Sequence, residues 1–213
     1  MPPEPNPPVR GVTDRPTATV DLLWIPLGAD AHVVRVCGKA FEAVVARFER
    51  RSPQDLFHTA LVVEVPEARY AIEMTPVPDG SGASRGVVGE GPVGGRWAGR
   101  LRVFRYEIRR WADGVIPDAH AAVGGPVRLS QDPELARRLL ALVPWVPTPT
   151  WGRDELGLGE MWNSNSVTAW LLASAGVDVD DLAPPRGGRA VGWQAGVVIG
   201  SQRRSAHGPS LAG

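Results

Sequence analysis

One cysteine, Cys37, stands in the 213 residues. A lone cysteine closes no internal disulfide, and no cysteine/histidine spacing of the zinc-binding type occurs, so neither a metal nor a cofactor is implied. Lysine is nearly missing as well, with Lys39 as its sole instance. Neither sign of charge prevails: 23 basic and 23 acidic residues give a formal net charge of zero. That removes any global electrostatic case for nucleic acid or an anionic membrane as partner. No run approaches the ~18 apolar residues of a transmembrane helix. The opening MPPEPNPPVR has no basic segment followed by an apolar one, so no secretory signal is expected. Together these absences predict a soluble, cytoplasmic chain. There is no internal repeat and no regular βαβ alternation.

What is present begins with 43% hydrophobic residues, enough for a sizeable core, and 8 Trp against 2 Tyr. The length suits one domain. Residues 1–18 are proline-rich and read as a disordered tail, residues 19–200 as one α+β domain, and residues 201–213 as a second tail. The excess of Gly, Pro, Ala and Arg over Lys resembles the product of a GC-rich bacterial genome.

Along the domain, TVDLLWIPL (19–27) reads as a strand and AHVVRVC (31–37) as a second. Apolar residues recur at helical spacing over 38–51. His58–Val65 and Tyr70–Thr75 form a hairpin turned near Pro66. Residues 76–99 read as a long Gly/Pro-rich loop, a candidate lid. Leu101–Trp111 reads as a long strand. A helix opens at Asp132-Pro133, where Asp132 is a suitable N-cap. Residues 144–160 form an irregular connector. A helix from Ser166 to Ala175 ends at Gly176, and Trp193–Gly200 reads as a last strand. The order predicts an antiparallel sheet with helices packed on it.

Two motifs fail in context. Gly82-Ala83-Ser84-Arg85-Gly86 matches G-x-S-x-G but lacks the strand before and the helix after that a nucleophile elbow requires. Gly89, Gly91 and Gly94 match G-x-G-x-x-G, yet Pro92 has no amide to offer a phosphate and no helix follows. Arg100, Arg102, Arg105, Arg109 and Arg110 form a basic stripe, read first as the solvated side of an edge strand and second as an anion-contact surface.

A more promising set is His58 at the start of a strand, Glu73 on the next strand, and Ser164 in Asn163-Ser164-Asn165-Ser166 ahead of a helix. A nucleophile at a helix N-terminus feels the positive end of the macrodipole, and free amides there can hold an oxyanion. Histidine can take its proton near neutral pH, and a polar group on the adjacent strand can fix the ring. Each residue also has a plainer reading: a strand-end histidine, an arginine-paired glutamate, and a good N-cap. Cys37, just ahead of the 38–51 helix, is a competing nucleophile.

FHTALVV, YAIEM and WNSNSVTAWLL, in that order, resemble the circularly permuted papain-like superfamily, whose members include NlpC-type peptidases and lecithin–retinol acyltransferase-like enzymes. The resemblance covers about residues 55–176. It implies a permuted papain-like fold, with His58 as base, Glu73 as orienting group and Ser164 as nucleophile. Asn163 and Asn165 would flank the oxyanion, and Trp162 and Trp151 would wall the cleft. The chain departs from the pattern in having serine after Asn163 where the superfamily has cysteine. The implied function is a hydrolase or acyl-transfer enzyme acting on an amide or ester of a small molecule, peptide or lipid. The alternative is an inactive relative that binds a peptide, lipid or protein in the same cleft. A third expectation makes the proline-rich tail a ligand for other domains.

Overall fold

A computed structural model describes residues 18–29, 42, 47, 50, 52–77 and 85–206. The expected strand 31–37, Cys37, most of the 38–51 helix, nearly all of the 1–18 tail and the last seven residues lie outside them.

Six strands form one sheet: β1 (Thr19–Pro26), β2 (Phe57–Val65), β3 (Ala68–Pro76), β4 (Val87–Pro92), β5 (Arg105–Ala112) and β6 (Val127–Ser130). Their order is β4-β5-β3-β2-β1-β6, and every neighbouring pair is antiparallel. Among the described residues three helices pack on the sheet: α1 (Pro133–Leu142), α2 (Ser164–Ala175) and α3 (Trp193–Ala206). The architecture is α+β, as the order of elements predicts.

The strands of the sheet centre alternate two apolar faces. Leu22, Trp24, Leu61, Val63, Ile72, Met74, Tyr106 and Ile108 join residues of α1, α2 and α3 in the main core. Leu23, Ile25, Ala60, Val62 and Ala71 face the other way, where Ile116 and its neighbours in the connector after β5 cover them. His58 and Glu73 occupy this second face by parity.

Helix α2 is the buried centre of the helical layer. Eleven of its twelve residues are buried, all but Ser174. It starts with a capping box in which the Asn163 side chain accepts from the amides of Asn165 and Ser166 while the Ser166 hydroxyl accepts from the Asn163 amide. It stops at Gly176, whose φ of 92° suits a residue without Cβ. Helix α1 is capped by Asp132, which accepts from the amide of Glu134.

Three sequence expectations change. Trp193–Gly200 is helical, and the helix continues to Ala206 rather than giving way to a tail at 201. Gly192, Gly196 and Gly200 recur every four residues on one face, and a Cβ at Gly196 would stand 2.2 Å from the Ser166 carbonyl oxygen. Close approach of α3 to α2 therefore outweighs the strand-like Val197-Val198-Ile199. Strand β5 begins only at Arg105, because residues 98–104 form two short 3₁₀ turns. The 76–99 stretch is not all loop, since β4 pairs with β5 within it.

The arginine stripe also divides. Arg109 is buried and bonded to Glu73 and Glu107. Arg105 pairs with Glu90, and Arg110 donates to the Leu140 carbonyl. Arg100 and Arg102 stay exposed.

Candidate functional site

His58 stands second in β2, opposite Ile25. Its Nε2 lies 2.8 Å from Oδ2 of Asp118, a residue in the connector after β5. Both side chains are about one-fifth exposed. Burial alone would push the Asp118 carboxyl up, but the hydrogen bond and charge of His58, with a backbone hydrogen bond and His120, together hold it below the usual aspartate value. The other ring nitrogen, Nδ1, has no hydrogen-bond partner among the described residues.

Glu73 does not hold the histidine. Its register partner on β5 is Arg109, and Oε1 accepts from Arg109 Nη1 at 2.8 Å. Arg109 Nε in turn donates to Glu107 at 2.6 Å. Burial raises the Glu73 carboxyl above its ordinary value, and the attraction of Arg109 offsets that only in part. The carboxylate that reaches His58 is thus Asp118, in place of the expected Glu73. No local motif announces this residue: it lies 60 positions from His58, just after Pro117 in an irregular connector.

Ser164 is the first residue of α2 and is buried from bulk solvent. It opens onto two adjoining cavities. One, about 240 Å³, is lined by Leu27, Leu56, Phe57, Met161 and Val191. The other, about 300 Å³, is lined by Ala60, Glu73, Met74, Pro76, Pro117 and Asp118. Leu27, His58, Trp151 and Ser164 belong to both. Among the described residues the Ser164 hydroxyl makes no hydrogen bond, so serine and histidine share the cleft without bonding each other.

The side chains around Ser164 are committed elsewhere. Asn163 Oδ1 caps the helix and its Nδ2 donates to the Val191 carbonyl. Asn165 is 3% exposed; its Oδ1 accepts from Thr59 Oγ1 at 3.1 Å and its Nδ2 donates to the carbonyls of Phe57 and Val191. Asn165 has no side-chain N–H left over for an oxyanion, whereas one of the two N–H groups of Asn163 Nδ2 has no acceptor among the described residues. Both asparagines tie the start of α2 to the start of β2, where His58 sits. The Ser164 backbone amide, which the capping box leaves unused, is a second donor that remains.

Trp162, expected as a cleft wall, is 1% exposed in the main core. The wall is Trp151. Its backbone bridges to Val93 and Trp162, and its ring meets Tyr106 edge-on at 5.9 Å. Burial raises the Tyr106 hydroxyl well above its usual range, so it stays neutral, donating to the Pro149 carbonyl. Glu155 anchors the same segment by accepting from the amide and hydroxyl of Thr150 and from Arg96.

No family model, curated protein or solved structure matches this chain. Among the described residues no helix is long and apolar enough to cross a membrane, and no cluster of three His, Cys, Asp or Glu side chains is placed to hold a metal.

Proposed function

We propose that the chain is a hydrolase or acyl-transfer enzyme acting on an amide or ester, with Ser164 as nucleophile, His58 as general base and Asp118 as the group that orients His58. One observation carries this reading: Ser164 and His58 line the same two cavities, and the far nitrogen of His58 is held by a carboxylate. With Nε2 bound to Asp118, the proton that leaves Ser164 Oγ goes to Nδ1. Oγ bonds to the substrate carbonyl carbon, and the negative charge moves to the carbonyl oxygen. The Ser164 amide and the positive end of α2 favour that charge. Collapse breaks the bond to the amine or alcohol, which departs with the proton from His58. Water, or a second nucleophile, then releases the acyl group by the same steps in reverse. Apo sites commonly leave such nucleophile–base bonds long until substrate binds. On this reading the chain is a permuted papain-like protein with serine in place of cysteine.

A second reading, a binding module without turnover, draws on the same serine. Serine depends wholly on its base, and here it makes no bond to it. Labelling with a fluorophosphonate separates the two. An enzyme is labelled at Ser164, loses labelling in Ser164→Ala, and is labelled at least about 100-fold more slowly in His58→Ala. Asp118→Asn slows it too while the fold is kept. Absence of labelling in the wild type, together with a Ser164→Cys thiol no more reactive at pH 7 than a free one, sinks the enzyme reading and leaves the binding module.

A further inference from the structure

Nine large hydrophobic side chains are exposed among the described residues, and four of them fall between positions 97 and 104. Trp97 is 77% exposed, Leu101 59%, Val103 68% and Phe104 44%. They lie on the β4–β5 connection, and β4 is an edge strand, so this tip lies at the margin of the sheet. The chain there is bent into two 3₁₀ turns, Ala98–Arg100 and Arg102–Phe104. A folded tip that leaves Trp, Leu, Val and Phe in water carries a standing cost unless something covers them.

The charges on the same tip indicate what does. Arg96-Trp97-Ala98-Gly99-Arg100-Leu101-Arg102-Val103-Phe104-Arg105 contains four arginines and no acid. Arg96 and Arg105 are engaged by Glu155 and Glu90. Arg100 and Arg102, both exposed, have no acidic partner among the described residues. We infer that this tip docks peripherally on an anionic lipid surface, with Trp97, Leu101, Val103 and Phe104 entering the headgroup boundary and Arg100 and Arg102 meeting lipid phosphates and carboxylates. Tryptophan favours that boundary because its ring is apolar and its N–H is polar. Arginine adjoining it gains from the negative surface potential, worth roughly fivefold in affinity per residue. A nucleic acid would be met by the arginines but leaves three aliphatic and phenyl groups unserved. The zero net charge of the whole chain adds no general attraction to that of the tip.

The test is flotation of the full chain with phosphatidylcholine vesicles with and without about one-third phosphatidylserine. Binding is expected to the anionic vesicles, weaker to the neutral ones, and reduced by raising salt. Arg100→Gln with Arg102→Gln lowers it about 25-fold, and Trp97→Ala with Leu101→Ser lowers it at least tenfold. These side chains are exposed, so the melting temperature serves as the fold control and stays within about 2 °C. No binding to anionic vesicles overturns the inference. So does binding that survives both double variants, or retention of single-stranded RNA in place of vesicles.

Discussion

Asn165→Ala tests the claim that α2 is fixed against β2 by one buried side chain. In the folded chain Asn165 satisfies Thr59 Oγ1 and the Phe57 carbonyl, and shares the Val191 carbonyl with Asn163. The substitution leaves Thr59, 1% exposed, without its acceptor and Phe57 without that donor. Each orphaned buried group costs about 1–3 kcal/mol, and the two are neighbours, so the losses do not simply add. A total of about 2–4 kcal/mol follows. For a chain of this size it corresponds to a fall in Tm of roughly 5–15 °C. Urea titration and thermal circular dichroism measure it. Thr59→Val supplies the matched partner for a double-mutant cycle, and a coupling of about 1 kcal/mol is expected between the two. If Asn165→Ala costs less than about 0.5 kcal/mol, the start of the helix is held by the capping box alone and the positioning argument fails. In an active enzyme the same variant slows labelling of Ser164, although Asn165 has no side-chain atom to spare for substrate.

Gly196→Ala places a methyl group 2.2 Å from the Ser166 carbonyl oxygen, a backbone atom that cannot rotate aside. A loss of about 2–3 kcal/mol in urea denaturation is expected, and a neutral result would mean that α3 does not sit this close to α2. Glu155 is held down at about 2 by the amide and hydroxyl of Thr150 and by Arg96. Its folded value is below its unfolded one, so its stabilisation is present above the ordinary glutamate range and fades as pH falls from about 4.5 through about 2. Glu155→Gln therefore flattens the stability profile in that window by about 1 kcal/mol, the partial exposure of the group keeping the figure small. An unchanged profile refutes the assignment.

Much of the scaffold of the site was legible. The β2–β3 hairpin places Leu61 opposite Ile72 and closes with Val65 opposite Ala68, a turn of the same length as one with Pro66 opposite Arg69 but one position earlier, which changes each residue's cross-strand partner. The difference is two residues, and a slip of two preserves which face each side chain takes. His58 and Glu73 therefore share a face as expected. What a hairpin alone cannot disclose is the third strand. Strand β5 sets Arg109 directly beside Glu73, and a carboxylate next to a guanidinium across a ladder is claimed by it. The carboxylate that reaches His58 comes instead from a connector with no periodicity to read. The error over α3 has a different origin. Three β-branched residues in a row outvoted a glycine repeat whose spacing of four is the helical signal.

The four residues Asn163–Ser166 divide in a way that bears on function. A helix needs its cap, and Asn163 with Ser166 supplies one complete in itself. Asn165 adds nothing to the cap through its side chain; it spends that side chain on β2, beside His58. Burying an amide to tie two segments costs desolvation that an apolar contact avoids, and is worthwhile where relative position matters more than stability. Ser164, between two hydrogen-bonded asparagines, is the one polar side chain of the four left without a hydrogen bond among the described residues. The cavities on either side of it meet at His58. On the proposed reading, a helix start held this firmly around a hydroxyl unbonded among the described residues suits a presented nucleophile, and a plain N-cap requires neither Asn165 nor the open cleft.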